Sequence, residues 1–154
     1  MAVEFEQQTT ALAAQLSRRN QLLATAESCT GGWLAKVCTD RAGSSGWFER
    51  GFVTYSNAAK RELLGVQAET LARHGAVSRE TVLEMVAGVL AHSHAHWALA
   101  ISGIAGPGGG SPEKPVGTGR VARGGRQRFA ESLRHRLQGG GHRRLAQRVA
   151  IALK

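Results

Sequence analysis

The sequence predicts a layered α/β domain, and three observations carry that reading. Leu22-Leu-Ala-Thr-Ala26, Phe52-Val-Thr-Tyr55 and Trp97-Ala-Leu-Ala-Ile101 are short apolar runs of strand length. The segments between them repeat apolar residues at helical spacing. Each run also stops at a polar, glycine-bearing or capping cluster, as strands alternating with helices do.

Phe5, Leu12 and Leu16, with alanines between them, predict an amphipathic helix to about Arg18. The first strand then ends at Glu27-Ser28. Trp33, Leu34 and Val37 fit a helix that starts at Gly31-Gly32, ends near Asp40 and leads into the loop Arg41-Ala-Gly-Ser-Ser45. After the second strand, Ser56-Asn57 are natural N-caps for Ala58-Ala-Lys-Arg-Glu-Leu-Leu64, which Gly65 closes. A short helix follows from Glu69 to Arg73 and ends at His74-Gly75. Ser78 caps a longer helix to about Ala91, with Val82, Met85, Val86 and Leu90 on its inner face. The third strand runs into Ser102-Gly-Ile-Ala-Gly-Pro107 and a glycine-rich stretch to Ser111.

At 154 residues the chain has the length of one domain with a proper core. Its two cysteines, Cys29 and Cys38, show no metal-type spacing, and the start Met1-Ala-Val-Glu-Phe-Glu6 is acidic where a secretory leader is basic. No apolar stretch approaches the ~20 residues that span a bilayer. A cytoplasmic protein with reduced thiols and no membrane partner is expected. The net charge of +9 is unevenly placed: residues 1–118 hold ten Lys+Arg and ten Asp+Glu, whereas 119–154 hold ten basic residues and Glu131 alone. A neutral body with a basic end argues against specific nucleic-acid reading, although such a tail attracts polyanions.

In open α/β sheets, ligands bind outside the carboxyl ends of the strands. Three hydroxyl-and-glycine clusters fall there: Ser28 with Thr30, Gly31 and Gly32; Tyr55 with Ser56 and Lys60; and Ser102 with Gly103, Ala105 and Gly106. Ser28 is the candidate nucleophile, with a helix N-terminus behind it to stabilise an oxyanion. Lys60 lies one helical turn beyond Ser56 and five residues beyond Tyr55, so its amine can fold back toward the strand end. A partly desolvated lysine loses its proton readily and serves as a base toward serine. Cys29, beside Ser28, points the opposite way in an extended chain, which sets it aside as a nucleophile. Glu27 has several readings: orienting Lys60, holding a ribose hydroxyl, charging a helix N-terminus, or making a structural hydrogen bond. His92, His94 and His96 would share one face only if extended, and a surface connection is the plainer reading. Trp33 and Trp47 read as core or interface aromatics.

The motifs Thr25-Ala-Glu-Ser-Cys-Thr-Gly-Gly32, Gly43-Ser-Ser45, Phe48-Glu-Arg-Gly-Phe-Val-Thr-Tyr-Ser-Asn57 with Lys60, His74-Gly-Ala-Val-Ser78, Ser102-Gly-Ile-Ala-Gly-Pro107 and Lys114-Pro-Val-Gly-Thr118 resemble the CinA C-terminal domain family over about residues 5–118. The resemblance implies a three-layer α/β/α sandwich with a mixed, largely parallel central sheet, commonly a homodimer. It also implies hydrolysis of the carboxamide of nicotinamide mononucleotide to nicotinate mononucleotide and ammonia, in pyridine-nucleotide recycling, without metal or other cofactor. Carried over residue by residue, Ser28 is the nucleophile, Lys60 its general base and Tyr55 an orienting or proton-relaying group. Cys29, Thr30, Gly31, Gly32, Ser56, Ser102, Gly103, Ala105 and Gly106 are then the substrate-contacting positions. Backbone N–H groups at such glycine-rich ends can approach a carboxamide oxygen or a phosphate closely.

The tail departs from the family pattern, which continues after Thr118 as an apolar strand, a returning strand and a final helix. Here Gly119-Arg-Val-Ala-Arg-Gly-Gly-Arg-Gln-Arg128 follows, and a central strand of this composition is expected to strand several guanidinium groups. Residues 119–140 therefore read as a divergent segment, disordered or re-paired, or as an altered reading of a GC-rich coding region. Leu145 to Leu153 regains helical periodicity, and a terminal helix over 141–153 is expected after Gly139-Gly-Gly141. The whole chain is then one domain. The competing function is a non-catalytic nucleotide- or nucleic-acid-binding protein that uses the basic tail. A third reading is the detached half of a two-domain protein. A Ser-Lys pair distinguishes the amidase from a binding module, which does not need one.

Overall fold

The computed structural model describes residues 2–126 and 130–136. Helix α1 spans Ala2–Arg19, β1 Leu23–Glu27 and α2 Trp33–Thr39; a 3-10 turn at Ser44–Gly46 precedes β2, Phe48–Val53. Three helices follow, α3 Asn57–Leu64, α4 Ala68–His74 and α5 Arg79–Ala91. Strands β3 Trp97–Gly103, β4 Thr118–Gly125 and β5 Glu131–Arg136 complete the described elements. The expected terminal helix over 141–153 lies outside the described residues.

The five strands form one mixed sheet in the order β2-β1-β3-β4-β5. The pairs β1–β2 and β1–β3 are parallel, whereas β3–β4 and β4–β5 are antiparallel. Period-2 alternation sorts the strand residues into two cores. Leu23, Leu99, Ile101 and Val121 pack with Phe5, Leu16, Leu34, Val37 and Trp47 from the α1/α2 side. Ala24, Ala26, Ala98, Ala100 and Ala122 meet Leu64, Val82, Met85, Val86 and Val89 from the α3/α5 side. The face beneath α5 is therefore almost all alanine, and helices cover both sides as the α/β/α expectation requires. Trp33 lies against the first core, edge-on to Phe5 at 6.3 Å between ring centroids.

The outlines of α1, β1, α2, α3, α5 and β3 follow the sequence reading, and both expected serine caps form. Ser56 accepts from the Ala59 N–H at 2.9 Å, and Ser78 from the Thr81 N–H at 3.1 Å. Two expectations are corrected. Strand β2 starts four residues before Phe52 and ends at Val53, because this edge strand accommodates Glu49 and Arg50 half-buried and Gly51 exposed. The arginine-bearing tail also forms a strand, with Thr118, Gly119, Val121, Ala122, Gly124 and Gly125 buried.

The guanidinium groups of that strand are not stranded. Arg123 projects into solvent and pairs with Glu131 on β5. Arg126 donates to the carbonyls of Ala95 at 2.7 Å, Leu90 at 2.6 Å and Ser93 at 2.7 Å, so it satisfies the backbone beyond α5. His92 closes α5, and His96 Nδ1 accepts the Leu22 N–H at 2.9 Å; the histidine segment is a bend between helix and strand.

Close approach fixes one glycine with particular force. A Cβ at Gly88 would lie 2.1 Å from the Leu64 carbonyl oxygen, where α3 ends against α5. Gly88→Ala is expected to lower unfolding free energy by about 1–3 kcal/mol through forced separation of the two helices. Gly46→Ala, which meets nothing within 4 Å, should stay within about 0.5 kcal/mol. Urea denaturation of both variants measures the difference.

Candidate active site

Strands β1 and β2 end side by side, and their connections leave toward opposite faces of the sheet: α2 covers one face, α3 and α5 the other. Such a divergence opens a crevice at the carboxyl ends of the strands. Ser28 follows β1, tied to the end of β3 by its N–H, which donates to the Ile101 carbonyl at 3.0 Å. It continues the parity of Ala24 and Ala26, so its side chain faces the α3 side. Lys60 reaches the same point from the first turn of α3.

Lys60 is fully buried, with 0% of its surface exposed. Its Nζ lies 3.0 Å from Ser28 Oγ, 2.8 Å from the Thr54 carbonyl and 3.2 Å from the Tyr55 carbonyl. No carboxylate is among these partners. Burial pushes the Lys60 amine below its ordinary value, and the nearby Cys29 opposes that shift. Ser28 Oγ also stands 3.4 Å from the Tyr55 carbonyl.

The turn that presents Ser28 is held by Glu27, buried to 1% exposure. Its Oε1 accepts from the Thr30 hydroxyl at 2.7 Å and the Leu34 N–H at 2.7 Å, and its Oε2 from the Ala35 N–H at 3.1 Å. Of the readings of Glu27, these contacts are the helix-terminal charge and the structural hydrogen bond together. An internal carboxylate here occupies the first free donors of α2. The donors expected from that helix end are thus spent at Leu34 and Ala35. Among the described residues, the N–H groups of Thr30 and Gly32 have no acceptor. Gly31 at φ 60° and Gly32 at φ 105° make the left-handed turn between Ser28 and the helix, which a side chain would strain.

The remaining sequence-designated positions divide by role. Tyr55 presents its carbonyl to Lys60, while its side chain is 71% exposed. Ser56 is occupied as the α3 cap, and Thr30 is occupied by Glu27. Cys29 packs against the α1/α2 core. Ser102, 1% exposed, donates to the Ala76 carbonyl at 2.8 Å and so anchors the loop before α5. Gly103 ends β3, and Ala105 and Gly106 lie in the half-buried loop beyond it. Sequence reasoning missed Thr54, whose carbonyl makes the shortest contact with Lys60; its place between a strand end and an N-cap was the available signal. Cys38 is buried beside this turn, and burial together with Glu27 pushes its thiol up to about 12, which leaves it unreactive.

A buried lysine thus meets a serine at the divergence of two parallel strands in a mixed sheet. The chain belongs to the CinA C-terminal domain family, whose model matches residues 5–154. The nicotinamide-nucleotide amidohydrolase PncC of Escherichia coli strain K12 is 65% identical over 103 residues, 67% of this chain and 62% of that protein's length. The chain thus spans under two thirds of that relative in the match. The Pseudomonas putida protein of the same name is 49% identical over 143 residues, 92% of this chain and 87% of its own. Among solved structures, the competence/damage inducible protein CihA of Agrobacterium tumefaciens superposes with a TM-score of 0.93 at 45% identity, covering 97% of this chain and 92% of that one. No described helix is long and apolar enough to cross a membrane.

Replacing Glu27 by alanine leaves three buried donors without an acceptor. Glu27→Ala is expected to destabilise the protein by about 2–4 kcal/mol, more than Glu27→Gln, which keeps one carbonyl acceptor. Chemical denaturation of the pair checks the order.

Proposed function

We propose that the chain is an amidase that hydrolyses the carboxamide of nicotinamide mononucleotide to nicotinate mononucleotide and ammonia, with Ser28 as nucleophile and Lys60 as general base. The observation that carries this reading is the contact between the fully buried Lys60 amine and the Ser28 hydroxyl. A neutral lysine amine carries a lone pair that can take a serine proton. Lys60 Nζ stands 3.0 Å from Ser28 Oγ, within reach of a proton transfer, and its other partners are the Thr54 and Tyr55 carbonyls. Burial without a counter-charge favours that neutral form. The names of the Escherichia coli and Pseudomonas putida relatives support the substrate.

In this mechanism Lys60 accepts the Ser28 proton as the oxygen attacks the carboxamide carbon. The tetrahedral oxyanion accepts hydrogen bonds from the open N–H groups of Thr30 and Gly32. Lys60 then returns the proton to the departing nitrogen, which leaves as ammonia, and a Ser28 ester remains. Water attacks that ester, giving its proton to Lys60; collapse breaks the Ser28–carbonyl bond and restores the hydroxyl with the proton held on Lys60. Tyr55 serves through its carbonyl by orienting the amine. The reading puts the protein in pyridine-nucleotide recycling in the cytoplasm, where Cys29 and Cys38 stay reduced. It includes a homodimer, supported by the exposed Val53, Tyr55 and Leu63 on the edge strand and its neighbouring helix. Equilibrium sedimentation measures that association.

Ser28→Ala is expected to cut ammonia release from the mononucleotide about a thousandfold or more with the circular dichroism spectrum unchanged. A retained rate would remove Ser28 from the reaction. For Lys60, kcat/KM should rise with pH through a value below the ordinary 10.5 of a free lysine. Stability follows the same sign. With the folded pKa depressed, the unfolded chain holds more protons between that pKa and 10.5, so stability rises with pH across this window. Lys60→Met should abolish both the activity and the rise in stability, which denaturation at several pH values reads directly.

A further inference from the structure

A second feature lies on the same face of the sheet as Ser28. Ser28 stands one residue beyond the Glu27–Ile101 pair, beside Ser102; Ser102 pairs with Arg120 on β4, and Arg120 with Arg134 on β5. Paired residues share a face, so Ser28, Ser102, Arg120 and Arg134 form a row across four strands. Neighbouring strands are about 4.8 Å apart, which puts the Arg120 backbone about 10 Å from that of Ser28. The row ends in a cavity of about 360 Å³ between the α4–α5 loop, the starts of β4 and α5, and β5.

Among the described residues, five cations line this cavity, Arg73, Arg79, Lys114, Arg120 and Arg134, against the single lining carboxylate of Glu80. Several are held in place by neutral backbone groups. Lys114 Nζ donates to the His74 carbonyl, and Arg134 donates to the Glu113 carbonyl at 2.8 Å. Among the described residues, Arg73 alone of the five has an ion pair with a further acid, Glu69 at 3.5 Å. Arg120 is partly buried, and burial together with the like charges of Arg134 and Arg79 lowers its pKa, while Glu80 opposes this. The cavity therefore concentrates positive charge beyond what its own acid neutralises.

We infer that this cavity is an anion subsite of the Ser28 centre, taking the phosphate monoester of a substrate whose amide end lies at Ser28. The inference rests on the amidase reading and assigns the two ends of the substrate. Guanidinium groups suit it because their forked donors match phosphate oxygens. The distance along the row leaves room for a sugar between the reacting carbonyl and the phosphate.

The test compares nicotinamide mononucleotide with nicotinamide riboside, which carries the same amide without the phosphate, in wild-type protein, Arg120→Ala and the surface variant Arg134→Ala. Calorimetry with inorganic phosphate accompanies it. The wild type is expected to favour the mononucleotide at least tenfold in kcat/KM. Both variants should reduce that preference at least fivefold, chiefly through KM, leave the riboside rate unchanged and weaken phosphate binding. Equal use of the two substrates by the wild type, or a preference and phosphate affinity that survive both substitutions, overturns the subsite. If neither substrate releases ammonia, the amidase reading fails instead. Phosphate binding that depends on Arg120 then retains the anion site by itself, and binding that does not depend on it removes the site as well.

Discussion

The site depends on keeping one amine out of water without giving it a counter-ion. Lys60 is buried on α3, and the groups that receive it are two carbonyls from the segment joining β2 to that helix. Carbonyl dipoles stabilise an ammonium less than a carboxylate does, so they accept the amine without locking its proton in place. The requirement reaches outward from there. Strand β2 must end at Val53 so that Thr54 and Tyr55 turn their carbonyls inward, and Ser56 must start the helix so that Lys60 falls on its inner side. Ser28 must be fixed from the other side, which its N–H bond to Ile101 and the Glu27-anchored turn accomplish.

The tail adapts to the same frame by a different device. A strand with arginine at every third position can lie inside a sheet if its other positions are very small and its cations find oxygen at the margins. At Gly124 a Cβ would meet Val86 at 2.9 Å, and at Gly125 Trp97 at 3.0 Å, so glycine lets β4 lie close beneath α5 and beside β3. The result is a thinner core on this side, with Val121 and Ala122 as its buried apolar side chains among the strand's inward positions. Charge that would penalise a buried strand is directed to the loop after α5, to Glu131 and to the cavity beside Ser102.

Much of this was legible in the sequence, for identifiable reasons. Helical spacing and the serine caps at Ser56 and Ser78 are local signals, and they located α3 and α5. The spacing from Ser56 to Lys60 already turned the lysine toward the strand end. What could not be read was the set of partners. Glu27 gathers donors up to eight residues ahead, and the oxygens around Arg126 come from residues 90–95, more than 30 positions away. Composition priced the tail arginines as if no such oxygens existed, and so argued against β4. Strand β2 was misplaced for a related reason: an edge strand needs only one covered side, and Glu49-Arg50-Gly51 shows no apolar run. That Tyr55 meets Lys60 through its carbonyl was not legible either, because backbone direction is not written in residue type.

Arg126 also bears on how the molecule opens. One guanidinium collects the carbonyls of Leu90, Ser93 and Ala95, and its own backbone N–H donates to His96 at 3.2 Å. The exit of α5, the bend before β3 and the far end of β4 are thereby clasped at a single residue. These pieces are separate in sequence, yet a local fluctuation cannot release one without breaking bonds to the others. Amide exchange in that corner becomes a joint event, with the end of the helix and the end of the strand exposed to solvent together.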